Sequence, residues 1–188
     1  MLTATYSLVA LSAEQKNARN MLSRLHGQIQ DILHDLQYIN QACVENALCR
    51  LEQFEEYCHK RKVEAYVIPA IRKSTRKADP ILAELESLSS RSMRILRSLH
   101  EQLRSAFERG MGDVRKVCAD MDLYCTNLRE RFLKEEEELL PIVRALLPIE
   151  DWFTLAAKFL SEDEKHRHPA PTPGVSRSRA SQTGRTAA

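Results

Sequence analysis

Two stretches of this 188-residue chain place the same residue types at the same spacing around a proline. Glu64 lies five residues before Pro69, and Glu136 lies five residues before Pro141. In each stretch two apolar residues precede the proline and an arginine follows it three positions later. Because a proline inside a helix costs about 3 kcal/mol and one backbone hydrogen bond, two matching prolines indicate an architecture of two similar hairpins. The alternative is a chance match, since few positions agree.

The elements that carry these stretches are predicted to be helices. Apolar residues recur at the helical period, and no run of alternating β-branched residues calls for a sheet. Ser12 and Gln15 form a capping box, Asp79-Pro80 is typical of a helix start, and Gly110 breaks the third helix. The first predicted helix begins at Ser12 and the second spans about Ala42 to Ser74. The third begins at Asp79 and the fourth spans about Asp113 to Leu147. A short last helix runs from Ile149 to Leu160.

Four long helices joined by short loops predict an all-α fold, an up-down-up-down four-helix bundle with a short extra C-terminal helix. Residues 1–162 would form this domain, with residues 1–11 as an apolar N-terminal arm. Residues 163–188 are rich in proline, serine, arginine and threonine, which predicts a disordered basic tail.

Composition narrows the classes of function. The net charge of +2 comes from the basic tail, so the helical part is not predicted to bind nucleic acid. No apolar run approaches the ~18 residues of a membrane span, and the N-terminus lacks the charge pattern of a secretion signal. The five cysteines contain no CxxC pair, which favours buried thiols in a reducing cytoplasm. A redox role for one exposed thiol is the alternative.

The segment from Arg131 to Leu147 resembles the fourth helix of the bacterial hemerythrin-like domain family, where an acidic run precedes two apolar residues and a proline. The following Pro148 to Phe153 is similar to the last helix of that family, and the resemblance covers about residues 12–162. It implies a four-helix bundle whose core holds two irons through histidines and carboxylates from all four helices. Imidazole ligands leave an open position for dioxygen at such a centre.

Carried over position by position, the resemblance implies an incomplete set of metal ligands. The candidates are His26, His59, Glu64 and Glu135. Val63 stands where the second helix of the family has a glutamate, and Arg131 stands where the fourth helix has a histidine. The histidine of the third helix is expected near Ser89 or Ser90. A guanidinium has no lone pair to offer a metal, so Arg131 is expected to form an ion pair with Glu135.

This incomplete set predicts a non-enzymatic regulatory or interaction protein of a bacterial cytoplasm, with no cofactor. It would act on an unknown protein partner or on a second copy of itself, and on neither a membrane nor a nucleic acid. The first alternative is an iron- or dioxygen-binding protein with a reduced or rearranged ligand set. The second is a small redox enzyme of the same fold. The basic run from His59 to Lys62 is interpreted as surface charge, or as a site for an acidic partner.

Overall fold

A computed structural model describes residues 2–35 and 40–167 of the chain. Within these ranges every regular element is helical and no strand occurs, which confirms the predicted all-α class. The helices are α1 (Leu2–His34), α2 (Gln41–Lys60), α3 (Ile68–Ser74), α4 (Asp79–Arg109), α5 (Met111–Lys134), α6 (Leu140–Leu146) and α7 (Ile149–Arg167). Two short π-helical segments, Val63–Val67 and Glu135–Leu139, lead into α3 and α6.

Helix α1 begins at Leu2, so the predicted start at Ser12 and the separate arm before it are wrong. The extra turns are stabilised by tertiary packing, because α1 lies against α7 and Leu11 is completely buried. The hydroxyl of Tyr6 donates a hydrogen bond to Asp163 of α7 at 3.2 Å. Contacts with α7 therefore outweigh the local capping signal.

Helix α7 is longer than the sequence indicates, since it continues past Leu160 to Arg167. Asp163 anchors this extension by accepting hydrogen bonds from Tyr6 of α1 and from the ammonium of Lys62, each at 3.2 Å. The predicted disordered tail is thus wrong for residues 163–167. Residues 168–188 lie outside the described residues.

The second and fourth predicted helices are each interrupted. After α2 the backbone of Arg61 is extended, with φ −62° and ψ 146°. Both π-helical segments end just before the matching prolines, Pro69 and Pro141. In each segment a backbone N–H bonds to a carbonyl five residues earlier, from Ile68 to Val63 and from Leu140 to Glu135. The two matching stretches of sequence therefore adopt the same local backbone conformation.

The turn between α4 and α5 depends on a glycine. Gly110 has a φ of 118° and its N–H donates to the carbonyl of Ala106 at 3.0 Å. This conformation ends α4 and lets α5 return along it, and the two helices form a large packing contact.

The buried apolar side chains form two clusters along the helices. The first cluster includes Ala18, Leu22, Phe54, Cys58, Leu99 and Phe132. The second cluster includes Leu11, Val63, Val67, Leu85, Leu139 and Phe159. The change from one cluster to the other falls at the residues between Leu11 and Ala18 on α1, and at the interruptions that follow α2 and α5. Polar side chains occupy this level.

No helix in the described part of the chain combines the length and the apolar character needed to cross a membrane.

Candidate functional site

The polar level between the two apolar clusters is built around Glu135. Its Oε2 atom accepts hydrogen bonds from Arg61 Nη2 at 2.6 Å and from Gln15 Nε2 at 2.8 Å. Arg61 Nη2 also donates to Gln15 Oε1 at 2.5 Å, so each of these three side chains contacts the other two. The side chains of Arg61 and Glu135 have no exposed surface. We call Gln15, Arg61, Glu64, Arg131 and Glu135 the charge layer.

Arg61 remains a cation in this buried setting. Burial alone would lower the pKa of its guanidinium, but the charge and hydrogen bonds of Glu135 raise that pKa above its ordinary value. The guanidinium also lies over the ring of Phe132, 4.4 Å from the centroid. The apolar side of the group therefore packs on the first cluster while its N–H groups bind the carboxylate.

A second arginine completes the charge balance of the layer. Arg131 forms an ion pair with Glu64, and its Nε atom lies 3.4 Å from Glu135 Oε1. The contact between Arg131 and Glu135 is the one expected from the sequence. Two guanidinium groups thus face two carboxylates, so the buried layer carries no net charge.

The break after α2 is what turns Arg61 inward. Its extended backbone starts a new helical segment, and Ala65 N–H bonds back to the carbonyl of Arg61 at 2.9 Å. Glu14 of α1 accepts the N–H of Lys62 at 2.8 Å and so caps this new start from a neighbouring helix. Burial is the largest influence on Glu14 and raises the pKa of its carboxyl, although the Lys62 N–H and the charge of Arg61 act to lower it.

A small cavity of about 200 Å³ lies beside the charge layer. Its lining includes His59, Glu64, Ser89, Ser90 and Arg131. Each of these occupies, or lies next to, a position that the resemblance assigns to the metal site. Residues of the second, third and fourth predicted helices therefore line one cavity.

His26 lies apart from this cavity and belongs to another polar group. Arg129 Nη2 contacts its Nδ1 at 2.6 Å, and its Nε2 faces Asp122 Oδ1 at 2.5 Å. A guanidinium only donates, so Nδ1 is the acceptor and the ring proton lies on Nε2. His26 also follows Gln15 by eleven residues, about 16 Å along α1. It does not meet Glu135.

His59 points outward at the edge of the cavity, with 63% of its side chain exposed. Its Nε2 lies 3.3 Å from Glu55 Oε1, and the buried hydroxyl of Tyr124 donates to the other oxygen of Glu55. Burial first, and then the charge of Glu55, raise the pKa of Tyr124. Of the four candidates, Glu64 and Glu135 are joined through Arg131, His59 shares the cavity with Glu64, and His26 is separate.

The donor set of the charge layer does not fit a di-iron centre. A bridging carboxylate needs free lone pairs, but both oxygens of Glu135 face guanidinium groups. Arg61 and Arg131 would also bring two positive charges next to the irons. Across residues 2–35 and 40–167, no group of three or more histidine, cysteine, aspartate or glutamate side chains is arranged to hold a metal ion.

Three of the five cysteines are buried and two are exposed. Cys58, Cys118 and Cys125 are buried, and burial raises the pKa of each thiol, to about 12, 11 and 12. They therefore remain neutral small apolar groups at physiological pH, as the sequence predicts. Cys43 and Cys49 are exposed on α2.

Sequence reasoning misses the central residue of the layer. Arg61 belongs to the basic run that the sequence presents as surface charge, and no glycine or proline nearby signals the break that buries it. Gln15 fits a capping box at Ser12 in the sequence, whereas its amide binds Glu135 in the structure. The one feature of the sequence that predicts such a cation is Glu135, because a carboxylate at a core position needs a buried positive charge beside it.

Comparison with known proteins gives no relative for this chain. The sequence matches no protein-family model, and neither a curated protein nor a solved structure is significantly similar to it. What the molecule does is therefore inferred from the geometry and chemistry of its own residues.

Proposed function

We propose that this chain is a hemerythrin-like, up-down-up-down four-helix bundle in which the charge layer takes the place of the di-iron centre. In this view it is a non-enzymatic regulatory or interaction protein. The observation that carries the proposal is the fully buried pair of Arg61 and Glu135, held by Gln15. The matching π-helical segments before Pro69 and Pro141 support the two-hairpin design.

The charge layer substitutes for metal ions in one physical respect. A buried carboxylate needs a compensating cation, because an isolated charge in the core is strongly destabilising. Arg61 supplies a fixed positive charge to Glu135 with two N–H groups, and Arg131 forms an ion pair with Glu64 through Nη2. Each carboxylate thereby has a guanidinium counter-ion within the chain.

A non-enzymatic role agrees with the way these groups are used. The carboxylates and guanidinium groups of the charge layer are paired with one another. Arg61 and Glu135 lie in the core, whereas the side chain of Glu64 is 23% exposed at the cavity. General acid–base catalysis needs such a group within reach of a substrate. The helix surfaces are then the parts of the molecule left to carry a function, through contact with a partner or with a second copy.

The metal content of the purified protein tests this proposal. We expect protein made in iron-replete medium to contain far less than one iron per chain and to show no oxo-bridge absorption bands. Glu135→Gln protein serves as the control, because its metal content should equal that of the wild type. Stoichiometric iron that is lost in the Glu135→Gln variant would overturn the proposal.

The alternative is an iron-binding protein with a rearranged ligand set, and one observation favours it. The 200 Å³ cavity brings the imidazole of His59 and the carboxylate of Glu64 to one place. Anaerobic titration with Fe(II), followed by calorimetry, separates the two functions. The alternative requires saturable binding that the His59→Ala substitution abolishes, whereas our proposal predicts no saturable binding in either protein.

A further inference from the structure

Helix α7 is apolar on two sides. Its inner side, formed by Trp152, Leu155 and Phe159, is buried in the second cluster. A second row consists of Ile149, Phe153 and Leu160, which are 54%, 52% and 51% exposed. The spacing of four and seven residues aligns these three side chains along one side of a helix. We call them the outer stripe.

The contacts of α7 fix which way the outer stripe faces. On one side of α7, Ser74 donates to Asp151 at 3.0 Å, and Lys158 lies 5.4 Å from the ring of Tyr66. At 100° per residue, Asp151 and Lys158 lie about half a turn away from the outer stripe. α7 also packs on α1, and Asp163, which accepts a hydrogen bond from Tyr6 of α1, lies about 60° around α7 from the outer stripe. The outer stripe therefore lies on the α1 side of the helix.

On that same side, α1 and α6 border an open groove of about 760 Å³. Its walls include Leu8 and Val9 of α1 with Leu140 and Pro141 of α6. Val9 is 63% exposed and stands on the crest of α1 between the groove and α7. We call the groove, Val9 and the outer stripe together the outer face.

This face carries one basic and one acidic side chain that are available to a partner. Arg144 lines the groove beside Glu136, which pairs with Arg19, and Glu150 is exposed next to the outer stripe. Among the ion pairs between described residues, none involves Arg144 or Glu150. A helix of this chain placed in the groove of a second copy brings an acidic residue towards Arg144.

We propose that this face binds a second copy of the same chain, with the outer stripe of each protomer in the groove of the other. The inference rests on the proposed function, because it names the partner that an interaction bundle needs. α7 already shows that a helix packs well beside α1, where the hydroxyl of Tyr6 donates to Asp163 at 3.2 Å. The groove is a second surface beside α1, and it stays open in the protomer.

A stable dimer sets the area that each surface has to contribute. Stable interfaces bury roughly 1,200–2,000 Å² in total, and a two-fold dimer of this kind buries four surfaces, two grooves and two stripes. Each surface then needs to contribute only about 300–500 Å². That is the size of an exposed apolar patch that commonly marks a binding site.

Sedimentation velocity on the full chain tests the proposal. We expect a reversible dimer at about 100 µM protein. Phe153→Glu and Val9→Glu should each weaken dimerisation by at least about 30-fold, because each buries a charge at the contact. Leu123→Glu is the matched control: Leu123 is 47% exposed on α5, and its substitution should leave the dimer intact. Circular dichroism confirms that each variant keeps its helices.

Mixing the two disabled variants distinguishes the proposed contact from other modes of association. Phe153→Glu protein keeps an intact groove and Val9→Glu protein keeps an intact outer stripe, so the mixture should form a heterodimer through one contact. A wild-type protein that stays monomeric, or a dimer that is insensitive to Val9→Glu, would overturn the inference. Neither result bears on metal content, so the proposed charge layer is tested separately.

Discussion

Arg61 and Glu135 are the residues on which the interior of this molecule depends. Each is buried without exposed side-chain surface, and each is the main partner of the other. A buried pair of this kind adds little net stability, because desolvation offsets the Coulomb attraction. Removing one member is far more costly, since the remaining charge then has neither a counter-ion nor water to solvate it.

A double-mutant cycle measures that dependence. Arg61→Met and Glu135→Leu should each lower the free energy of unfolding by about 3–5 kcal/mol, because each leaves an uncompensated buried charge. The double variant should be close to the wild type in stability, since apolar groups of similar length then fill the layer. Urea denaturation of the four proteins provides the values. Losses that simply add in the double variant would mean that the two side chains do not act as a pair.

The elements around the charge layer explain why Arg61 is inside. In the repeat of 72 residues, Arg61 corresponds to Leu133, yet Arg61 is buried while Leu133 is 47% exposed. The difference arises from the backbone, because α5 runs directly into its π-helical segment whereas α2 ends at the extended Arg61. Equivalent positions in the two copies of the repeat thus differ, with one side chain buried and the other half exposed.

The cap that Glu14 provides to the restarted helix should be measurable. Glu14→Ala removes the acceptor of the Lys62 N–H and should cost about 1 kcal/mol of stability, whereas Glu14→Gln keeps an acceptor oxygen and should cost much less. Thermal unfolding at neutral pH compares the two variants. Equal losses in both would show that the contact is not a cap.

The same residue predicts a pH dependence. Burial raises the pKa of Glu14 above its ordinary value of 4.5, so the folded state binds this proton more tightly than the unfolded state does. The contribution of Glu14 to stability is therefore greatest below pH 4.5 and falls as the pH rises through its raised pKa. Relative to the wild type, Glu14→Gln should become more stable over that interval. A constant difference between the two proteins from about pH 4 to about pH 7 would contradict this.

Glycines give a second test at the scale of elements. Gly110→Ala should destabilise the protein by about 1 kcal/mol or more, because φ of 118° is strained for a residue with a side chain. Gly27→Ala is the control: Gly27 lies within α1 and a methyl group there meets no atom within 4 Å. That change should stabilise the protein by about 0.5–1 kcal/mol, since alanine favours the helix. If both substitutions shift the urea midpoint in the same direction, the role given to Gly110 is wrong.

At the scale of the whole molecule, apolar periodicity is enough to predict a helical chain and the approximate position of most helices. It fails at the ends of the molecule, where α7 packs on α1 and extends both helices beyond their local signals. It also fails inside, because the break at Arg61 arises from tertiary contacts with Glu14, Gln15 and Glu135. A local pattern does not contain those partners.

The sequence also predicts the positions of some candidate site residues better than those of others. Glu64 lies five residues before Pro69 and Glu135 six residues before Pro141, which predicts levels one residue apart, and they do share Arg131. His26 is placed by its neighbours in the sequence alone, and its partners Asp122 and Arg129 lie elsewhere along the helices. Spacing within a repeat therefore locates residues better than a short local motif does.

The most direct test of a charge layer in place of a metal centre is the free energy of unfolding with and without metal. We expect the urea midpoint to be the same in a strong chelator and in excess Fe(II) under anaerobic conditions. A metal bound only by the folded state would add about 2.7 kcal/mol at about a hundred times its dissociation constant. An increase of that size with Fe(II), reversed by the chelator and lost in Glu135→Gln, would contradict the account.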